Sequence, residues 1–123
     1  MKLITGVDLI EIDRLREAIT KQGNRFLNRV FTPRELDENI QKVESLAGRF
    51  AAKEAVAKAF GCGIGEIAWK EIEILRTELG APHLVLHGVA DEKARGMGIL
   101  DWSVSVSHTQ SHAIAMVIGI KMD

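Results

Sequence analysis

The apolar and polar positions of the chain change period as they are read from the N-terminus, and each change marks an element. Leu3 to Val7 is a short apolar run of the kind a buried strand leaves, ended by Asp8. Asp8-Leu9-Ile10-Glu11 then has the spacing of a helix N-cap followed three residues later by an acid, and Ile12, Leu15 and Ile19 continue at helical intervals until Gly23. Thr32-Pro33-Arg34-Glu35 predicts a second, short helix: Thr32 caps, proline suits the first helical position and Glu35 can reach back. Beyond the middle of the chain the period shortens. Trp69 to Leu75 and His83 to His87 read as strands separated by a turn at Gly80-Ala81-Pro82, and Val89 to Arg95 as a short helix stopped by Gly96. Trp102 to Ser107 alternates strictly, with Trp102, Val104 and Val106 on one face and Ser103, Ser105 and Ser107 on the other. Thr109-Gln110-Ser111 forms a turn into Ala113 to Ile118, a continuous apolar run suited to a buried strand. The order predicts an α+β domain spanning residues 1–123, with helices packed on a largely antiparallel sheet.

The helix over Leu46 to Phe60 differs in kind from the others. Ser45 is its expected cap and Gly61 its stop. At about 100° per residue, Ala47, Phe50, Ala51, Glu54 and Lys58 share one arc. Ala52, Ala55, Val56 and Ala59 lie roughly opposite, and Arg49 with Lys53 forms a third stripe. A helix apolar on more than one side and rich in alanine belongs in the middle of a fold, where another backbone can come close. Glu54 and Lys58 are therefore expected in a confined place, where an unpaired charge is costly.

Composition narrows the function classes. Hydrophobic residues make up 46% and charged residues 27% of the chain, ordinary for a soluble globular protein. Cys62 is the only cysteine, which excludes an internal disulfide and suits a reducing, cytoplasmic setting. No apolar run reaches the roughly 18 residues of a membrane helix. Net charge is −1, yet between Arg14 and Arg34 six basic residues face one acid, Glu17, which suggests an acidic partner, a phosphate-bearing ligand or simply a solvated helix face. With 5% aromatics and no interleaving of rings with the basic run, nucleic-acid stacking is not expected.

Several residues carry candidate chemistry, each with a plainer alternative. Glu54 and Lys58 stand at the spacing of an i,i+4 ion pair, or else supply a hard oxygen ligand for magnesium and a cation beside a phosphate. Asp8 is either the helix cap or the second carboxylate of that metal site, since magnesium commonly takes only one or two protein carboxylates. Gly61, Gly63 and Gly65 follow a helix rather than opening one, so they do not form a dinucleotide fingerprint; they serve a C-cap and flexible loop, or let backbone approach a phosphate. Ser107 and His108 point to opposite faces of a strand and cannot form a dyad, and no Gly-x-Ser-x-Gly elbow is present.

Four segments together resemble a known family. Gly6-Val7-Asp8-Leu9-Ile10-Glu11-Ile12-Asp13-Arg14 and Phe31-Thr32-Pro33-Arg34-Glu35-Leu36 resemble the opening motifs of bacterial holo-acyl-carrier-protein synthases. Arg49-Phe50-Ala51-Ala52-Lys53-Glu54-Ala55-Val56-Ala57-Lys58-Ala59-Phe60-Gly61 resembles the Lys-Glu-Ala-x-x-Lys helix of the 4′-phosphopantetheinyl transferases, and Ser105-Val106-Ser107-His108-Thr109 the closing motif. The resemblance implies the 4′-phosphopantetheinyl transferase fold and a reaction in which a carrier-protein serine attacks the β-phosphate of coenzyme A and 3′,5′-ADP leaves. It implies that Asp8 and Glu54 bind Mg2+ at the pyrophosphate and that Lys58 stabilises or protonates the departing phosphate, with Glu54 or a metal-bound water taking the serine proton. By the same resemblance Arg49 and His108 meet the nucleotide's phosphates, Gly63 lies near the adenosine, and Arg14 and Arg25 contact an acidic acyl carrier protein. The short bacterial form is a homotrimer, which implies sites shared between subunits. A coenzyme A or nucleotide-binding module without transferase activity is the alternative.

Overall fold

The computed structural model describes residues 1–39 and 42–122. In chain order the elements are β1 (Lys2–Glu11), α1 (Ile12–Gln22), α2 (Asn24–Val30), α3 (Pro33–Asn39), α4 (Val43–Phe60), a single 3-10 turn (Trp69–Glu71), β2 (Ile72–Arg76), β3 (Pro82–Leu86), α5 (Gly88–Gly96), β4 (Ile99–His108) and β5 (His112–Lys121). The strands form a three-stranded antiparallel sheet in the order β1-β5-β4 and a separate β2-β3 hairpin. The expected α+β architecture with antiparallel sheets is what the chain adopts.

Several local expectations change. β1 does not stop before Asp8 but runs to Glu11, because its ladder with β5 continues through Asp8↔Ala115 and Glu11↔His112. Leu9 and Ile10 keep alternating between solvent and core, so cross-strand pairing supplies the backbone bonds that the capping signal would have supplied. Asp8 is therefore a mid-strand residue facing the core side, not an N-cap, and α1 begins at Ile12, whose N–H donates to the Ser111 carbonyl at 2.9 Å. α4 starts at Val43 with Lys42 as its cap residue, which places Ser45 inside the first turn rather than ahead of it. Trp69–Glu71 is a helical turn, and the strand expected there begins only at Ile72. α2 had no expected counterpart; Gly23, at φ 57°, ends α1 and redirects the chain so that Phe26 and Val30 turn inward.

The Thr32 signal holds in full. Thr32 N–H donates to Glu35 Oε1 at 2.9 Å and Glu35 N–H donates to Thr32 Oγ1 at 3.2 Å, a reciprocal capping box. Gly61, at φ 82°, closes α4 in the left-handed conformation, donating its N–H to the Lys58 carbonyl.

α4 lies across the inner face of the three-stranded sheet and also packs against β2, which explains its alanines. A β-carbon on Gly6 would come within 1.9 Å of the Ala55 carbonyl oxygen, and one on Gly48 within 2.6 Å of Val106 Cγ1. The N-terminal half of α4 thus crosses β4 while its C-terminal half crosses β1. One core fills the space between α4, both sheets and α5; a second sits under α1, α2 and the start of α4 around Phe26, Phe31 and Leu46. On the opposite face of the sheet, Leu3, Val7, Leu9, Ile114 and Met116 are exposed, with Val7 paired to Met116 and Leu9 to Ile114. No helix among the described residues is long and apolar enough to cross a membrane.

Candidate active site

Buried polar atoms in folded proteins are almost always hydrogen-bonded, so exceptions point to places built for something else. Among the described residues the unpartnered buried side-chain atoms are Asp8 Oδ2 and Arg49 Nε and Nη2. They mark two centres, both on residues singled out by the sequence.

The first is a carboxylate centre where β1 meets α4. Asp8 projects from the inward face of β1, and the third quarter of α4 brings Glu54 beside it. Lys58, one turn further on, donates from Nζ to Asp8 Oδ1 at 2.9 Å and to the Val7 carbonyl at 3.1 Å. The ion pair of Lys58 is thus with Asp8 across the fold, not with Glu54 along the helix. Burial, then repulsion from Asp8, holds the Glu54 carboxyl above its ordinary value, with Lys58 opposing the rise. A pair in which Asp8 disfavours the charge on Glu54 and itself keeps a buried oxygen without a hydrogen-bond partner forms an arrangement that a cation relieves. No group of three or more His, Cys, Asp or Glu side chains among the described residues could hold a metal. A hard divalent ion that keeps water and phosphate oxygens in its remaining positions suits this donor set. The confinement expected for Lys58 is not found: its side chain is 56% exposed, against 14% for Asp8.

The second centre lies at the other end of α4, beside β4. Arg49, with a side chain only 7% exposed, lines a cavity of about 420 Å³ together with His108 at the end of β4 and Arg76 at the end of β2. Burial first, then the neighbouring Arg76, holds Arg49 below its ordinary value; Glu38 compensates in part from 3.7 Å. Arg76 was not anticipated from the sequence. An arginine at the end of a strand has no local signature, and only the β2–α3–α4 packing brings it here.

Lys53, adjacent to Glu54 in sequence, has the opposite environment. It is fully buried, and its Nζ donates to Glu35 Oε1 at 2.8 Å, to the Trp69 carbonyl at 3.0 Å and to the Ile72 carbonyl. Glu35 in turn accepts the Ile74 N–H at 2.9 Å. The Arg49–Lys53 stripe is thus the helix's buried polar face, while Glu54 and Lys58 open outward.

The remaining candidates are dispersed. Arg14 on α1 and Arg25 on α2 are both exposed, as a docking role requires. Gly63 is exposed beyond the C-terminus of α4, whereas Arg49 and His108 sit at its N-terminal end, so one chain does not bring all three together. His108 and His112 flank the β4–β5 turn.

A family model described as the 4′-phosphopantetheinyl transferase superfamily matches residues 4–117. The chain belongs to that superfamily. Among its curated relatives, the holo-[acyl-carrier-protein] synthase of Herpetosiphon aurantiacus is 48% identical, covering 96% of this chain and 98% of that protein. The same-named protein of Alkaliphilus oremlandii is 47% identical over 94% of this chain and 96% of its own. Two crystal structures share the fold. The Helicobacter pylori holo-[acyl-carrier-protein] synthase in complex with coenzyme A is 34% identical with a TM-score of 0.88, covering 95% of this chain and all (100%) of that one. The Neisseria meningitidis enzyme of the same name is 37% identical with a TM-score of 0.86, covering 96% and 98%.

Proposed function

We propose that the chain transfers the 4′-phosphopantetheine arm of coenzyme A to a serine hydroxyl of apo acyl carrier protein, releasing 3′,5′-ADP. Family membership sets the reaction class, and the observation that carries the assignment of its centre is the unpartnered Asp8 Oδ2 beside Glu54. Asp8 and Glu54 would hold Mg2+, which when bound neutralises charge on the diphosphate and draws electrons from phosphorus. The serine hydroxyl gives up its proton to Glu54 or to a water, its oxygen forms a bond to the β-phosphorus, and the bond from that phosphorus to the bridging oxygen of the nucleotide breaks. Lys58 Nζ, tethered to Asp8 and the Val7 carbonyl, lies one helical turn beyond Glu54 and meets negative charge gathering on the departing 3′,5′-ADP. Arg49 and His108 receive phosphate of the nucleotide, and the Gly63 loop lies near the adenosine. Arg14 and Arg25 present exposed positive charge to the acidic carrier. A cytoplasmic location fits the lone Cys62.

The two centres stand on opposite edges of one sheet, the carboxylates by β1 and the cations by β4. This supports a homotrimer in which the β1 edge of one subunit and the β4 edge of the next complete a site. The exposed Leu3, Val7, Leu9, Ile114 and Met116 supply an apolar face for that contact. Incubation with apo acyl carrier protein, coenzyme A and magnesium should add a phosphopantetheine mass to the carrier in a mass spectrum. An unchanged carrier mass would leave only the nucleotide-binding reading. Light scattering on a sizing column should give three chain masses, and a fully active monomer would refute the shared site.

A further inference from the structure

The second centre places a further cation, Arg76, beside Arg49 and His108, and a specific set of contacts holds it there. Ser45 Oγ lies 3.2 Å from Arg76 Nη2 and 3.5 Å from Arg49 Nη1, so one hydroxyl accepts from two guanidinium groups on different elements. The Arg76 backbone N–H donates to Glu38 Oε1 at 3.0 Å, and that same carboxylate oxygen is the nearest counter-charge to Arg49 Nη2, at 3.7 Å. Lys42 and Glu44 complete the charged lining of the cavity. Two guanidinium groups drawn together on one hydroxyl, with Arg49 Nε and Nη2 buried and without a hydrogen-bond partner, form a cradle suited to an anion. Coenzyme A carries two anionic units: a diphosphate and a separate phosphomonoester on the ribose 3′-oxygen. The carboxylate centre accounts for the diphosphate, which leaves the monoester dianion for the arginines.

We infer that Arg76 is a specificity-determining residue: placed beside Arg49 by Ser45, it completes a two-arginine cradle that makes the protein select ligands bearing the ribose phosphomonoester. This rests on the reading that Arg49 and His108 meet the nucleotide's phosphates. A second fork adds hydrogen bonds to charged oxygens, each contributing a tenfold or greater preference by its usual strength. Arg76 is exposed and its side chain holds no core together, so its removal leaves the fold in place.

The test uses titration calorimetry on the full chain with 3′,5′-ADP and with 5′-AMP, which lacks the 3′-phosphate. Wild-type protein should bind 3′,5′-ADP at least about tenfold more tightly. In Arg76→Ala the 3′,5′-ADP affinity should fall about tenfold, with 5′-AMP affinity moving less than twofold; Arg76→Lys, a charge without the fork, should fall in between. Arg95→Ala, which removes the same charge from α5, should leave both affinities as in wild type. An Arg76→Ala variant that retains wild-type 3′,5′-ADP affinity, or that loses both ligands equally, would overturn the assignment of Arg76. Equal wild-type affinities for the two ligands would instead overturn the underlying reading of the cradle. None of these readouts depends on transfer activity.

Discussion

Lys53 and Glu54 are neighbours in α4, yet they belong to two kinds of polar site. Lys53 is fully enclosed and every contact it needs is present: Glu35, two backbone carbonyls, and through Glu35 the backbone of β2. Glu54, half-buried, sits beside a like charge, and its neighbour Asp8 keeps one buried oxygen without a partner. A satisfied buried charge contributes a defined register between elements. An unsatisfied one is a standing demand for a ligand. The roughly 100° between successive helical residues is enough to turn one toward the interior of the molecule and the other toward Asp8 at the edge of the core.

That contrast can be broken at either end, and the largest effect is expected at the satisfied end. Lys53→Met strands the Glu35 carboxylate and should cost about 3–5 kcal/mol in urea unfolding. Adding Glu35→Gln should recover much of the loss, and a single variant within about 1 kcal/mol of wild type would show that the network does not hold the fold. At the other end, Asp8→Ala or Glu54→Ala should lower transfer about 10²–10³-fold at modest magnesium, with the unfolding midpoint little changed. Full turnover in either variant would remove both from the metal site.

Two smaller effects concern pH. Burial of Glu73 opposes its ionisation, but the Thr32 hydroxyl and His87 outweigh that and hold its carboxyl below the ordinary value. Its contribution is therefore complete above the ordinary carboxylate range and is lost as pH falls through the lower folded value. Glu73→Gln should be about 1 kcal/mol less stable than wild type at pH 7, and the gap should close in acid. Glu54 has the opposite sign. Its raised value means the folded chain favours the protonated form, so wild type loses stability as pH rises from the ordinary carboxylate value through the raised one. Glu54→Gln avoids that loss and should be more stable at pH 7 by roughly 0.5 kcal/mol while its transfer falls about as far as in Glu54→Ala. A destabilised variant would show that Glu54 is held by structural contacts after all.

Much of the fold that positions the candidate site was legible because its signals are local. The Thr32–Glu35 capping box and the Gly61 stop depend on residues within one turn, and the structure reproduces both. The alanine pattern of α4 announced a central helix for a comparable reason: only small side chains permit the approach of Gly6 to Ala55. The Asp8 N-cap failed because a cross-strand ladder between residues more than 100 positions apart replaced a bond that local sequence could have made. The ion pair of Lys58 went to Asp8 rather than Glu54 on the same ground.

The sequence by itself determined the succession of helices and strands from Thr32 onward, the central position of α4, and the motif residues that mark the chain as a phosphopantetheinyl transferase. Those follow from periodicity, capping chemistry and side-chain size, which act over a few residues. Only the tertiary structure decided which charge is sealed and which is open, that Asp8 lies in mid-strand against Lys58, and that Arg76 joins Arg49 across Ser45. Each of these depends on the solvation and counter-charge at one point in space, and that is set by which elements converge there rather than by the residues on either side.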